Sequence, residues 1–144
     1  MIDREVSYKK KYLVDTNIVI YTLKGEKEAV EAMESFEDEM IEIFYSTIIE
    51  AELFSFHQLT KNQKFKIRQL LDLGEIIDVD SEIALKAAEL RALSSKQYNR
   101  KLKLPDALIA ATALLTSAVL VTRNVDDFNH LLKHGLNIWD PFER

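Results

Sequence analysis

The sequence has no cysteine, three glycines and two prolines. Without cysteine there is neither a disulfide framework nor a thiolate metal site. The glycines, at positions 25, 74 and 135, stand too far apart to form a phosphate-cradling loop, in which close glycines let the backbone approach phosphate oxygens. A P-loop or a dinucleotide-binding fold is thereby excluded. No apolar run reaches the roughly 18 residues that a membrane span needs. The longest, residues 107–121, is interrupted by Thr112, Thr116 and Ser117. Residues 1–11 are polar and charged and do not resemble a secretory signal, so a cytoplasmic location is expected.

What is present is an ordinary globular balance: 144 residues, 47% hydrophobic and 30% charged. That length implies a single domain over residues 1–144, with enough chain to bury a core. A net charge of −5 makes a general nucleic-acid binder a poor reading. It does not exclude a nuclease, whose catalytic carboxylates are themselves negative. Positive charge is concentrated in Lys9, Lys10 and Lys11, and again in Lys96, Arg100, Lys101 and Lys103, with no acid between them.

Short apolar strands alternate with longer helical patterns. Strands are expected at 12–14, 41–45, 75–79 (at a sheet edge), 118–121 and 136–139. Helices are expected at 17–23, 27–40, 47–57, 60–73, 81–98, 105–116 and 125–134. Gly25, Gly74 and Gly135 act as helix stops, Thr47 and Glu50 form a capping-box pattern, and Pro105 suits a first turn. Alternation of this kind predicts a parallel sheet covered by helices.

In such a sheet, ligands bind beyond the carboxyl ends of the strands. Asp15 ends the first strand. Its bland reading is a helix N-cap, although Thr16 or Asn17 can cap while Asp15 faces the crevice. Glu52 lies three or four positions from Ile48 and Ile49, inside the apolar stripe of its helix, where an acid calls for a partner or a metal. The bland alternative is an exposed edge of that stripe. Asp106 opens a helix whose following residues, 107–115, carry no charge, so that helix should be buried nearly all round. The helix dipole favours an acid there, and the adjacent basic segment points to a substrate-facing position. The segment Thr122-Arg123-Asn124-Val125-Asp126-Asp127-Phe128 follows the fourth strand. Carboxylates without thiol or histidine partners suit Mg²⁺ or Mn²⁺, hard cations that take oxygen ligands. His57, His130 and His134 are read as surface residues.

Together, Leu13-Val14-Asp15-Thr16-Asn17, Glu50-Ala51-Glu52-Leu53, Pro105-Asp106-Ala107-Leu108-Ile109-Ala110-Ala111-Thr112-Ala113 and Val121-Thr122-Arg123-Asn124 with Asp127-Phe128 resemble the PIN domain, and within it the VapC-type toxins of toxin–antitoxin pairs. The resemblance covers almost the whole chain. It implies a three-layer α/β/α sandwich around a parallel sheet of about five short strands. It also implies a Mg²⁺- or Mn²⁺-dependent endoribonuclease, an antitoxin partner and a homodimer. Asp15, Glu52 and Asp106 match the family's three core acids. Its fourth acid often stands where this chain has Asn124. That leaves the fourth ligand open among Asn124, Asp126 and Asp127. Asp127 is favoured because it lies one helical turn beyond Asn124, with Thr16, Asn17, Thr122 and Asn124 in support. Lys96, Arg100, Lys101 and Lys103 are expected to guide the RNA backbone. The antitoxin is expected across residues 17–23 and 28–40, on Ile18, Ile20, Tyr21, Val30 and Met33.

Other readings use the same residues. A stand-alone PIN-type 5′-nuclease or phosphohydrolase would need the same acids. A degenerate PIN domain that binds without cutting would not need all three. A receiver-like signalling domain would need an acidic pair at the first strand, where there is only Asp15, and a phospho-accepting acid after the third, which Asp78 or Asp80 imitates. It leaves Glu52 unexplained.

Overall fold

Five parallel strands in the order β3-β2-β1-β4-β5 form the centre of the molecule. The structure, a computed structural model, describes residues 9–143; most of the polar N-terminal stretch lies outside the described residues. β1 (Lys10–Val14) leads through α1 (Thr16–Leu23) and α2 (Lys27–Ser35) to β2 (Ile41–Ser46). From there α3 (Thr47–Leu53) and α4 (Lys61–Leu71) lead to β3 (Glu75–Ile77). The chain returns through α5 (Ser81–Tyr98) and α6 (Leu104–Thr116) to β4 (Val119–Val121), then through two 3₁₀ turns, Val125–Asp127 and Asn129–His134, to β5 (Ile138–Trp139). Right-handed crossovers therefore put the helices of the outward and return paths on opposite faces of the sheet. The expected α/β/α sandwich is present, and β3 lies at an edge.

The register explains why the central strands read as apolar runs. Leu13 sits between Phe44 and Leu120, and Val14 beside Val121, all buried. Covered on both faces, such strands carry no solvent-facing polar alternation. Helix α6 is buried from Ala107 to Ala113, as its uncharged sequence requires, and its alanines let it lie close against β1, β4 and α5. Gly74 serves close approach rather than a special turn. A Cβ there would lie 2.6 Å from the Ile43 carbonyl oxygen and 2.9 Å from its Cγ2.

Several local expectations are corrected. Helix α2 ends at Ser35 rather than at 40: Phe36 drops into the core, and the backbone then turns through Asp38, whose side chain accepts from the Met40 N–H. Helix α3 ends at Leu53 instead of reaching 57. Its N-cap is Ser46, whose Oγ accepts from the Ile48 N–H; there is no Thr47–Glu50 capping box. Thr47 instead accepts from the Val79 N–H, and Glu50 pairs with Arg68 at 2.9 Å. The reciprocal box forms one helix later, between Thr60 and Gln63. Residues 125–134 make two 3₁₀ turns, not one α-helix. Ile18 and Met33 belong to the core, so they are unavailable to a partner.

Candidate active site

The strand order reverses between β1 and β4: the chain leaves β1 toward β2 and later returns to β4 on the other side. This is the switch point at which open α/β sheets form their crevices. Asp15 and Thr122 follow the ends of those two strands. The Asp15 N–H continues the ladder to the Val121 carbonyl at 3.0 Å, which carries its side chain to the rim.

Asp15 is only 5% exposed and is held by three donors. Its Oδ1 accepts from the Thr16 N–H at 2.8 Å, so Asp15 itself caps α1, and neither Thr16 nor Asn17 is needed for that. Its Oδ2 accepts from Thr122 Oγ1 at 2.8 Å and Asn17 Nδ2 at 3.1 Å. Thr122 Oγ1 in turn accepts from Asn17 Nδ2 and from the Asn124 N–H. With one hydrogen donated and two accepted, that hydroxyl is saturated. Asn17 completes the link by accepting from the Arg123 N–H at 3.0 Å. The ends of β1 and β4 are thus cross-tied by side chains more than a hundred residues apart.

Glu52 is exposed, on the edge of its helix stripe rather than buried within it. It nevertheless turns toward the crevice, where Thr16 Oγ1 donates to its Oε1 at 3.0 Å. Asp106 lies half-buried in the first turn of α6. Asp127 closes the first 3₁₀ turn, its N–H bonded to the Asn124 carbonyl at 3.1 Å. In a 3₁₀ turn, residues three apart eclipse, so Asn124 and Asp127 share a face although no α-helix forms.

Asp15, Glu52 and Asp127 each lie within electrostatic reach of Asp106. Burial pushes the Asp15 carboxyl up to about 6; the bonds from Thr122 and Thr16 oppose this, and the negative charges of Asp106 and Glu52 add to it. Asp106 is also raised, first by burial and then by Asp127 and Glu52, with Lys103 opposing. Asp126 is not among the charges acting on either group. Among the described residues, none of Asp15, Glu52, Asp106 and Asp127 forms an ion pair.

Other expectations fare differently. Lys96, Lys101 and Lys103 are exposed. Arg100 instead donates to Asn129 Oδ1 at 3.1 Å and to the Asp126 carbonyl, so its guanidinium is already engaged. The surface placement of the histidines is corrected for His130, which packs against α5 with Nε2 2.8 Å from Ser94 Oγ. His134 Nε2 lies 2.8 Å from the Tyr98 hydroxyl. No local pattern announces these pairs, since each joins residues 36 apart. Nor does the sequence pattern announce an apolar groove of about 430 Å³ lined by Ile20, Leu23, Leu53, Phe56, Leu59 and Ile67. Two of its lining residues, Leu23 and Phe56, are exposed apolar side chains.

A parallel sheet with carboxylates gathered at its switch point defines an acidic-site α/β protein. The PIN domain model matches residues 12–132, and the chain belongs to the PIN domain family. It is 33% identical over 82 residues to the VapC ribonuclease PF0355 of Pyrococcus furiosus, a match covering 55% of this chain and about half, 52%, of that relative. Among solved structures, it is similar to a chain of VapBC2 from Rickettsia felis bound to a promoter DNA fragment (26% identity, TM-score 0.76, 90% of this chain and 97% of that one). It is also similar to a chain of a toxin–antitoxin complex from Klebsiella pneumoniae (31%, 0.73, 92% and 99%). A third is a chain of VapBC-1 from nontypeable Haemophilus influenzae (28%, 0.75, 92% and 99%).

Proposed function

We propose that this chain, as a single domain over residues 1–144, is a Mg²⁺- or Mn²⁺-dependent endoribonuclease and the toxin of a toxin–antitoxin pair. The observation that carries this is that Asp15, Glu52 and Asp127 lie within electrostatic reach of Asp106 beside the β1–β4 switch point and that, among the described residues, none of the four forms an ion pair. The relatives support it: one is named a ribonuclease, and others are chains of toxin–antitoxin complexes.

The donor set suits a hard divalent cation, being all carboxylate with like charges raising two of the acids. Among the described residues, no three acids or histidines converge as a finished cage. Asp15 and Glu52 instead direct oxygens to Thr16, Asn17 and Thr122. Asp15, Glu52, Asp106 and Asp127 are the residues that would hold the ion. When bound, such a cation polarises a phosphodiester and lowers the pKa of water. Asp15 supplies a fixed, oriented carboxylate. Thr16 steers Glu52 toward it. Thr122, Asn17 and Asn124 hold the two strand ends in one arrangement. His130 Nε2 and His134 Nε2 are engaged by Ser94 and Tyr98, and this reading uses no histidine base. Lys96, Lys101 and Lys103 add positive charge along the approach to Asp106, suited to an RNA backbone.

Of the expected face across α1 and α2, Ile18 and Met33 lie in the core, while Ile20 lines the groove between α1, α3 and α4, which also offers Leu23, Phe56 and Leu59 beside Lys24 and Lys66. It suits an apolar segment of the antitoxin with acidic flanks. A homodimer belongs to the same proposal. No helix among the described residues is long and apolar enough to cross a bilayer.

The decisive experiment is cleavage of a structured RNA by purified protein, with Mg²⁺ or Mn²⁺ and with EDTA. Cleavage should require the ion and disappear in Asp15→Asn and Asp106→Asn. Undiminished cleavage in EDTA would overturn the metal reading. Co-expression with any small reading frame found directly upstream of the gene, followed by light scattering, tests the partner; a free monomer would instead favour a stand-alone nuclease.

A further inference from the structure

The loop between α5 and α6 ends in the turn that carries Asp106, and it is tied at several points. Asn99 closes α5 in the left-handed region (φ 49°), and the Arg100 N–H donates back to the Ser94 carbonyl at 3.0 Å. Leu102 is buried, and its carbonyl accepts from Arg91 Nε at 3.0 Å. This loop is therefore a fixed base.

From that base Arg100 reaches the other acid-bearing segment. Its Nη1 donates to Asn129 Oδ1 at 3.1 Å, and its Nη2 donates to the Asp126 carbonyl. The Asp126 carbonyl belongs to the peptide plane whose other end is the Asp127 nitrogen. Since that unit is planar, holding its oxygen fixes where the Asp127 Cα sits. The flanking contacts act in the same direction: Ser94 holds His130, and Tyr98 holds His134 while packing edge-on against both rings. Residues 125–134 form only 3₁₀ turns, whose own hydrogen bonds have poor geometry. Such a segment needs an outside hold to keep one shape.

We propose that Arg100 is a positioning residue that ties the loop leading to Asp106 to the turn carrying Asp127, and so sets how far apart those two carboxylates stand. This rests on the reading of those acids as a cation site. It replaces the expectation that Arg100 is an RNA contact. A guanidinium already bonded to two acceptors lacks the freedom to follow a phosphate backbone, whereas its forked donors suit a two-point tie.

The two roles separate by experiment. Full-length wild type, Arg100→Ala, Arg100→Lys, Asn129→Ala, Lys133→Ala and Asp15→Asn would be titrated with Mn²⁺ alone, following free ion by electron paramagnetic resonance. Amide exchange at Asp127 and Phe128 would be measured in the metal-free proteins. Arg100→Ala should weaken Mn²⁺ binding about tenfold, in the range expected when an outer hydrogen-bond partner of a metal ligand is removed, and should speed exchange at both amides. Asn129→Ala should do less of each, and Arg100→Lys should recover part of the loss. Lys133→Ala removes an equal charge from the 3₁₀ segment that Arg100 reaches and should match wild type. Unchanged exchange in both Arg100→Ala and Asn129→Ala would overturn the tie, as would equal loss of affinity in Arg100→Ala and Lys133→Ala. If wild type binds no Mn²⁺, or binds it equally well as Asp15→Asn, the cation-site reading fails instead, and the exchange rates still decide the tie. If Arg100→Ala does not fold, Arg100→Lys and Asn129→Ala carry the same comparison.

Discussion

Thr122 Oγ1 donates to Asp15 Oδ2 at 2.8 Å across a sequence separation of 107 residues. That bond closes the switch point of the sheet, and it is a place where the fold opposes itself. Asp15 is buried and surrounded by other acids, and the hydroxyl compensates only part of that.

The imbalance gives a pH dependence. The Asp15 carboxyl is raised from 3.8 to about 6 in the folded protein. A raised acid favours folding when protonated. Its contribution is complete below about pH 4 and is lost as the pH rises through about 6, an upper bound of about 3 kcal/mol. Asp106 acts in the same direction. Metal-free protein in EDTA should therefore melt higher at about pH 5 than at about pH 7. Part of that difference should vanish in Asp15→Asn and more in the double variant with Asp106→Asn. A difference that survives intact in the double variant would assign it to other groups.

Cation binding should relieve the same strain. A cation that binds the folded acids and not the unfolded chain stabilises the fold by mass action. Thermal melts should rise with Mn²⁺ in wild type and much less in Asp15→Asn. Equal rises would place the ion elsewhere.

Asp127 and Asp126 should behave differently. Asp127 is among the charges raising Asp106, and Asp126 is not. Asp127→Asn should cut RNA cleavage strongly, by at least about tenfold, and Asp126→Asn should change it little. Asn124→Asp should tighten Mn²⁺ binding, because a carboxylate replaces a neutral amide. A larger loss in Asp126→Asn would reverse the two assignments.

The exposed lysines should act through salt. Replacing Lys96, Lys101 and Lys103 with alanine should weaken RNA binding and lower the salt slope by about 0.7 for each phosphate that is no longer neutralised. Filter binding across a salt series measures both. An unchanged slope would remove this segment from the RNA path.

Gly74→Ala should destabilise the fold by about 1–3 kcal/mol, the usual range for overpacking. The added methyl would meet the Ile43 backbone oxygen at 2.6 Å, an atom that cannot rotate away. Chemical denaturation would show the destabilisation as a lower midpoint, and a wild-type midpoint would mean that β2 and α4 can move apart.

The sequence by itself determined the alternation of elements, the covered sheet and the three acids that matched a family pattern. Each of these is local. Leu13-Val14-Asp15 marks a buried strand running into a carboxylate, and Ala107–Ala113 marks a helix that solvent does not reach. Side-chain period and burial follow from neighbours a few positions away. Tertiary structure decided what lies between distant segments. Ser46 rather than Thr47 caps α3, because Thr47 finds the Val79 N–H instead. His130 leaves the surface because Ser94 lies opposite it. Arg100 turns from the solvent to Asp126 and Asn129, and Ile18 and Met33 enter the core while Leu23 and Phe56 remain on a groove. In each case a polar or apolar group had more than one acceptable partner. A hydrogen bond or a packed face contributes only about 1 kcal/mol of net preference, so the choice fell to whichever partner the fold carried within reach.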